Sequence, residues 1–261
     1  MTEKILYKKY SEYLKTKYGE KVYKLPINLP ITCPNRIDGQ GCSFCAEVGT
    51  GFEAADASIS VTEQLNSTKQ LIEKKYKARK YIAYFQNYTN TFMELEQFRD
   101  YIIEAATNKD VVEISISTRP DCIRDSYLDV LLDISNTYRV DINIELGLQT
   151  ANYHTLDFIN RGHGLAEFID AVLRIKKYPF TICTHVILNL PEDTIRDTIE
   201  TAKILSALNI DIVKLHSLYI AKNTKLSYQY RNGTISICSK EEYFERVIAF
   251  IEHISPDIVI E

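Results

Sequence analysis

Cys33, Cys42 and Cys45 stand on one short stretch, Cys33-Pro-Asn-Arg-Ile-Asp-Gly-Gln-Gly-Cys42-Ser-Phe-Cys45, and carry the strongest chemical signal in the chain. Three thiolates on one loop can bind three irons of a cubane and leave the fourth iron without a protein ligand. That open position would take a chelating amino and carboxylate group from a small molecule. Gly39 and Gly41 would let the loop fold back so that the sulfurs converge. A structural zinc ion normally takes four ligands, often as two paired CxxC or CxxH units. No second pair is present, and Cys122, Cys183 and Cys238 are isolated in sequence. The spacing leaves three readings open: an iron-sulfur cluster, a zinc ion completed by one of the isolated cysteines, or redox and core cysteines.

The chain that must position this loop has 261 residues, 45% hydrophobic and 25% charged, which fits one large domain. No run approaches the length of a membrane span, and the first residues lack the apolar core and cleavage site of a secretory signal. A cytoplasmic protein is expected, and in a reducing compartment closely spaced cysteines serve metal or redox chemistry better than disulfides. Net charge is −4, so the overall field does not attract polyanions. Lysines cluster locally, with seven in residues 1–30 and Lys69, Lys74, Lys75, Lys77, Arg79 and Lys80 in residues 69–80. Such patches could meet phosphates or form solvated helix faces.

Short β-rich runs alternate with helical patterns, the signature of a parallel sheet wound by crossover helices. Strands are expected at Tyr23 to Leu29, Tyr81 to Asn87, Val111 to Ser117, Val140 to Leu148, Thr181 to Leu190, Ile212 to Leu218 and Asp257 to Ile260. Helices are expected at Glu94 to Thr107, Ser126 to Asn136, Leu165 to Lys177, Asp193 to Leu208 and Lys240 to His253. Buried parallel strands should be almost wholly apolar, yet several carry polar residues at alternate positions. Glu113, Ser115, Ser117 and Arg119 share one face, as do Asp141, Asn143, Glu145 and Gln149. Lys214 pairs in the same way with His216, and His185 with Asn189. These rows predict a barrel interior whose polar lining, crowded towards the strand C-termini, forms a substrate cavity rather than a structural network.

The loop CPNRIDGQGCSFC resembles that of radical S-adenosylmethionine (SAM) proteins of the YhcC/YtqA type. The likeness continues in order through YIAYFQNYTNT (81–91), STRPDC (117–122), ELGLQT (145–150), NRGH (160–163), CTHVILNLPEDT (183–194) and KLHSLYIAKNTKL (214–226). Several blocks also resemble the radical domain of the Elongator catalytic subunit, which acts on wobble uridine in tRNA. The resemblance implies an α/β fold, a partial (β/α)6 TIM-like barrel, as a single domain over residues 1–261. Within it, residues 1–22 would be an N-terminal helical segment and 23–261 the barrel, with the cluster loop at 33–45. Relatives of this kind continue past the position of Glu261.

The same resemblance assigns Cys33, Cys42 and Cys45 to a [4Fe-4S] cluster and places Phe44 beside the adenine of SAM. It puts Gln86 and Asn87 near the methionine amino group, and Ser117, Arg119, Glu145 and Gln149 near carboxylate and ribose hydroxyls. Asn189 falls in the strand that supports adenine, where relatives carry a glycine. His163, Lys214 and His216, with Arg161, are candidates for substrate contact or proton handling. The implied reaction begins with one electron from a donor such as flavodoxin or ferredoxin, cleaves SAM to methionine and a 5′-deoxyadenosyl radical, and abstracts hydrogen from a substrate carbon. The substrate suggested is a tRNA wobble uridine. The alternatives are a small metabolite or protein side chain, or a non-enzymatic zinc or iron-sulfur protein.

Overall fold

A computed structural model describes residues 6–37, 39, 41–46, 55–76 and 78–261. Lys4 and Lys77 of the lysine patches, and Asp38 and Gln40 of the cysteine loop, lie outside these residues. In chain order the elements are β1 (Lys8–Lys9), α1 (Tyr10–Tyr18), β2 (Val22–Ile27), α2 (Pro34–Ile37), α3 (Val61–Tyr76), β3 (Lys80–Phe85), α4 (Leu95–Ala106) and β4 (Val111–Thr118). There follow α5 (Asp125–Tyr138), β5 (Asp141–Gln149), α6 (Tyr153–Phe158), α7 (Leu165–Ile175), β6 (Thr181–Ile187), α8 (Ile195–Ala207), β7 (Ile212–His216), α9 (Lys225–Arg231), α10 (Lys240–His253) and β8 (Val259–Ile260).

All strand pairings are parallel, in the order β1-β8-β7-β6-β5-β4-β3-β2. Strands β2–β7 are the expected six long ones, and two-residue β1 and β8 extend the β7 side. Because β1 and β2 are the two edges, the barrel is partial, and it curls enough for Lys24 on β2 to reach Glu145 on β5 across the lumen. The 1–22 segment therefore contributes a strand as well as a helix. The strands expected to reach Asn87, Leu190 and Leu218 stop at Phe85, Ile187 and His216, because their last residues turn into the loops of the cavity mouth.

The outward strand faces bury against amphipathic helices. On α7, Phe168, Ala171, Val172 and Ile175 recur at the spacing of one helical face and are fully buried. Each large side chain so buried contributes about 1.5–3 kcal/mol. The helices also start on sequence signals: Ser239 and Glu242 form a reciprocal cap on α10, as Thr194 and Asp197 do on α8. α3, α6 and α9 arise where no helix was expected. α3 is held by Gln64, whose buried amide bonds the Asn28 and Ile59 carbonyls at 2.8 and 3.0 Å.

Candidate active site in the barrel mouth

Parallel register stacks the inward polar rows in layers. Glu113 lies opposite Asp141, Ser115 opposite Asn143, and Ser117 opposite Glu145. The lowest layer is not part of a cavity. α1 covers it, with the Tyr18 hydroxyl donating to Glu113 (2.6 Å) and Asp141 (2.8 Å), and Lys17 paired with both carboxylates. Only the upper layers open into a cavity of about 580 Å3 at the C-terminal strand ends.

The floor of this cavity is an ionic network. The fully buried Glu145 carboxylate accepts from Lys24 Nζ (2.9 Å) and from His185 Nε2 (2.7 Å). Burial works against the charged form, but Lys24, His185 and Lys214 together hold the carboxyl well below the usual range. Lys24 and Lys214 also share Glu261, at 2.8 and 3.0 Å, and both ammonium groups lie over the Tyr84 ring. His216 Nε2 lies 3.3 Å from His185 Nδ1. Burial, then the neighbouring His185 and Lys214, push the His216 pKa down to about 3, so its ring is neutral.

The cysteine loop forms the upper wall. Gly41 takes a left-handed backbone (φ +76°), whereas Gly39 does not, so Gly41 alone makes the left-handed fold-back. The NRGH turn holds the loop in place: Asn160 donates to the Gly41 carbonyl (2.8 Å), Asn35 to the Asn160 carbonyl (2.6 Å), and Ser43 N–H to the Ile159 carbonyl (2.8 Å). Asn160 (φ +53°) and Gly162 (φ +74°) give this turn its shape.

Of the residues expected at the site, Cys33, Cys42, Cys45, Phe44, Gln86, Ser117, Arg119, Glu145, Gln149, Lys214 and His216 line the cavity together. A register shift between Gly147 and Gln149, with Gln149 at φ +78°, turns the Gln149 amide into it. Three expected residues do not line it. Asn87, adjacent to Gln86 and pointing the other way, donates to Asn28 Oδ1 at 2.8 Å. Asn189 lies past the end of β6 and accepts from Leu218 N–H. His163 is buried behind the wall, 3.2 Å from the Gly147 carbonyl, with its pKa pushed to about 3 by burial and then by Arg161.

Sequence reasoning gave no role to Lys24, whose sole signal was a charge inside the apolar run VYKLPINL. It noted His185 on a strand face without selecting it, and it overlooked Tyr84 and Arg36. Five members of the lysine patches are paired with carboxylates: Lys8 with Asp257, Lys17 and Lys24 as described, Lys69 with Asp110 and Lys80 with Glu20. Most of these contacts sit at the opposite end of the barrel from the cysteines.

The donor set discriminates between metals. Among the described residues the sole trio of possible ligand atoms within 4.8 Å of one another is Glu145, Cys183 and His185. The three loop thiols do not form such a group in the metal-free fold, whereas a zinc ion with bonds to sulfur of about 2.3 Å would hold its ligands within about 4.6 Å of one another. A larger cluster suits them. The trio itself is a poor cation site, because Glu145 is already paired with Lys24 and burial pushes the Cys183 thiol far up, keeping it protonated. At the upper wall Arg161, 7% exposed, has an Nε–H with no hydrogen-bond partner among the described residues, a buried donor that fits an anionic group.

The model of the radical SAM superfamily matches residues 27–205, and that of the radical SAM C-terminal domain matches residues 210–261. The chain belongs to the radical SAM superfamily. It is 34% identical to YtqA of Bacillus subtilis over 252 residues, 95% of this chain and 77% of that protein. A tRNA uridine(34) acetyltransferase of Methanocaldococcus jannaschii is 26% identical over 148 residues, 56% of this chain and 26% of that protein. The structure of Elp3 from Methanocaldococcus infernus superposes with a TM-score of 0.70 at 18% identity, over 92% of this chain and 56% of that one, a likeness of fold. The protein is thus a radical SAM enzyme, a superfamily that uses a [4Fe-4S] cluster and SAM, on the partial barrel that was expected. Among the described residues no helix is long and apolar enough to cross a membrane.

Proposed function

We propose that this radical SAM enzyme remodels the side chain of a wobble uridine in tRNA, presented to the mouth of the barrel. The observation that carries the reading is one cavity walled by Cys33, Cys42 and Cys45 above and floored by Glu145, Lys214 and His216 below. Cluster and SAM, when bound, supply a 5′-deoxyadenosyl radical that takes a hydrogen atom from carbon. The three cysteines would hold the cluster, Phe44 would offer an apolar wall to adenine, and Gln86, Ser117 and Gln149 would offer donors and acceptors to the polar parts of SAM. Arg119 is turned to Asp121 through two hydrogen bonds of 2.9 and 2.7 Å, and would act as part of that pair.

The floor gives the substrate defined protonation states. Glu145 stays ionised, His216 stays neutral, and Lys214 offers a cation. A neutral, low-pKa imidazole suits positioning a substrate from which hydrogen leaves as an atom.

Two observations support RNA as the substrate carrier. One is the similarity to the tRNA uridine(34) acetyltransferase. The other is the rim after β7, where exposed Tyr219, Tyr228 and Tyr230 interleave with exposed Lys222, Lys225 and Arg231. This segment adjoins the cluster loop, because Leu226 N–H donates to the Ser43 carbonyl at 2.9 Å. Aromatic faces that stack bases beside cations that meet phosphates make a single-strand platform. The sheet runs through both family-matched segments, which supports one domain over residues 1–261. A cytoplasmic setting with a flavodoxin or ferredoxin donor belongs to the same reading.

The test is the wobble-uridine nucleoside profile of tRNA from cells with and without this protein. One modified nucleoside should vanish and a precursor accumulate. An unchanged profile would remove tRNA and leave a small metabolite or a protein side chain as substrate.

A further inference from the structure

Each cysteine of the loop has its own arginine. Arg36 Nη2 lies 3.3 Å from Cys45 Sγ, Arg161 Nη1 3.5 Å from Cys42 Sγ, and Arg119 Nη1 3.9 Å from Cys33 Sγ. The three come from separate parts of the chain: α2, the segment after β4, and the NRGH turn. Each is fixed by further bonds. Arg36 donates to the Ala46 carbonyl, Arg161 to the Gly147 carbonyl (2.7 Å), and Arg119 to the Arg161 carbonyl (2.8 Å) as well as to Asp121.

Each arginine also occupies space that a glycine leaves open. A Cβ on Gly41 would stand 3.1 Å from Arg36 Cγ, one on Gly147 2.6 Å from Arg161 Nη2 and 2.9 Å from Gln149 Nε2, and one on Gly162 2.7 Å from Asn35 Oδ1 and 3.1 Å from Arg119 Nη2. The 2.6 Å contact is closer than any real Cβ tolerates, so Arg161 could not hold its place beside an alanine at 147. Two arginines are deeply buried, at 4% for Arg119 and 7% for Arg161. Burying guanidinium groups is costly without compensating charge. Asp121 compensates Arg119, but Arg161 faces no carboxylate within ion-pair distance among the described residues.

We propose that Arg36, Arg119 and Arg161, seated by Gly41, Gly162 and Gly147, form a guanidinium cage that raises the reduction potential of the cluster held by Cys45, Cys33 and Cys42. The inference rests on the cluster reading of those cysteines. One electron adds negative charge to a site that already holds three thiolates. N–H···S hydrogen bonds and fixed positive charge favour the reduced state, and low solvent exposure strengthens them. Arg161 has the largest share because no carboxylate offsets it. Arg119, neutralised by Asp121, has the smallest. These are positioning and tuning residues, acting through the cluster.

The experiment is a redox titration of the anaerobically reconstituted full chain, followed by electron paramagnetic resonance without SAM or substrate, with iron counted in each sample. Arg161→Gln should make reduction about tenfold less favourable, which for one electron is about 59 mV towards lower potential. Arg161→Lys, which keeps the charge, should shift it less. Gly147→Ala keeps Arg161 in the chain but pushes it from Cys42, and should move the potential in the same direction as Arg161→Gln. Arg174→Gln, on the outer face, serves as the control with unchanged potential. Wild-type potential in Gly147→Ala, or in fully loaded Arg161→Gln, would overturn the cage. Wild-type protein that assembles no cluster would instead overturn the cluster reading, and iron content separates the two failures.

Discussion

At the N-terminal end of the barrel, Glu113 and Asp141 are closed over by Tyr18 and Lys17 of α1, whereas two layers higher Glu145 meets Lys24 and His185 on the floor of an open cavity. The residue types are the same: a carboxylate, a lysine and a hydrogen-bonding ring. What differs is the cover. At the closed end Tyr18 and Lys17 bond both carboxylates, so the network fixes the position of the helix. At the open end the cysteines, Gln86, Gln149 and His216 line the cavity. Polar alternation on a strand therefore marks the barrel interior, and strand direction tells which end does chemistry.

Changes at the open end should remove function, and those at the closed end stability alone. The largest effect expected is from Cys33→Ala, Cys42→Ala or Cys45→Ala. Each should abolish iron loading and SAM cleavage while the far-ultraviolet circular dichroism stays native. A variant that retains cleavage would break the distinction.

Glu145→Ala comes next. It takes the buried acceptor from Lys24 and His185, leaves Lys24 to Glu261, and should cost roughly 1.5–3 kcal/mol in urea unfolding, the worth of a hydrogen bond to a charged group. A loss below about 1 kcal/mol would mean that water screens the floor far better than its burial implies.

At the rim, Tyr219→Ala and Tyr228→Ala should each weaken tRNA binding by about 1–3 kcal/mol if each stacks a base, with the fold unaffected. Filter binding at fixed salt measures this, and undiminished affinity would remove the platform. Tyr18→Phe, at the closed end, should cost about 0.5–1.5 kcal/mol for its lost hydrogen bonding and leave cleavage at the wild-type rate. A loss of cleavage there would blur the two ends.

Acid should expose the buried imidazoles. His163 and His216 have pKa values near 3 in the folded protein against 6.5 as the ordinary value. Between these values the unfolded chain binds more protons, so stability is whole above about pH 6.5 and declines as pH falls towards 3. Glu145, with its lowered pKa, loses its contribution in the same direction at the acid end. The urea midpoint should fall from pH 7 to pH 5, and His163→Asn should flatten that slope. An unchanged midpoint would contradict the burial of both rings.

Much of this was legible in the sequence. The alternating runs placed β2–β7, the loop spacing marked the three cysteines, and the polar rows located the lumen. What could not be read locally was closure. Nothing near Asn87 or Asn189 says that each turns away from the lumen, because that depends on where β3 and β6 end. Lys24 looked like a break in an apolar strand, since its partners Glu145 and Glu261 lie more than a hundred residues away. The pairing of Lys8, Lys69 and Lys80 was hidden for the same reason, since Asp257, Asp110 and Glu20 come from other segments of the chain.

The most direct test of the central claim is anaerobic reconstitution of the wild-type protein, with iron counted and 5′-deoxyadenosine measured after reduction in the presence of SAM. The account predicts a cluster-loaded protein that releases 5′-deoxyadenosine in a manner dependent on Cys33, Cys42 and Cys45. Protein that binds zinc in place of iron, or that carries a reduced cluster and releases no 5′-deoxyadenosine, would contradict it.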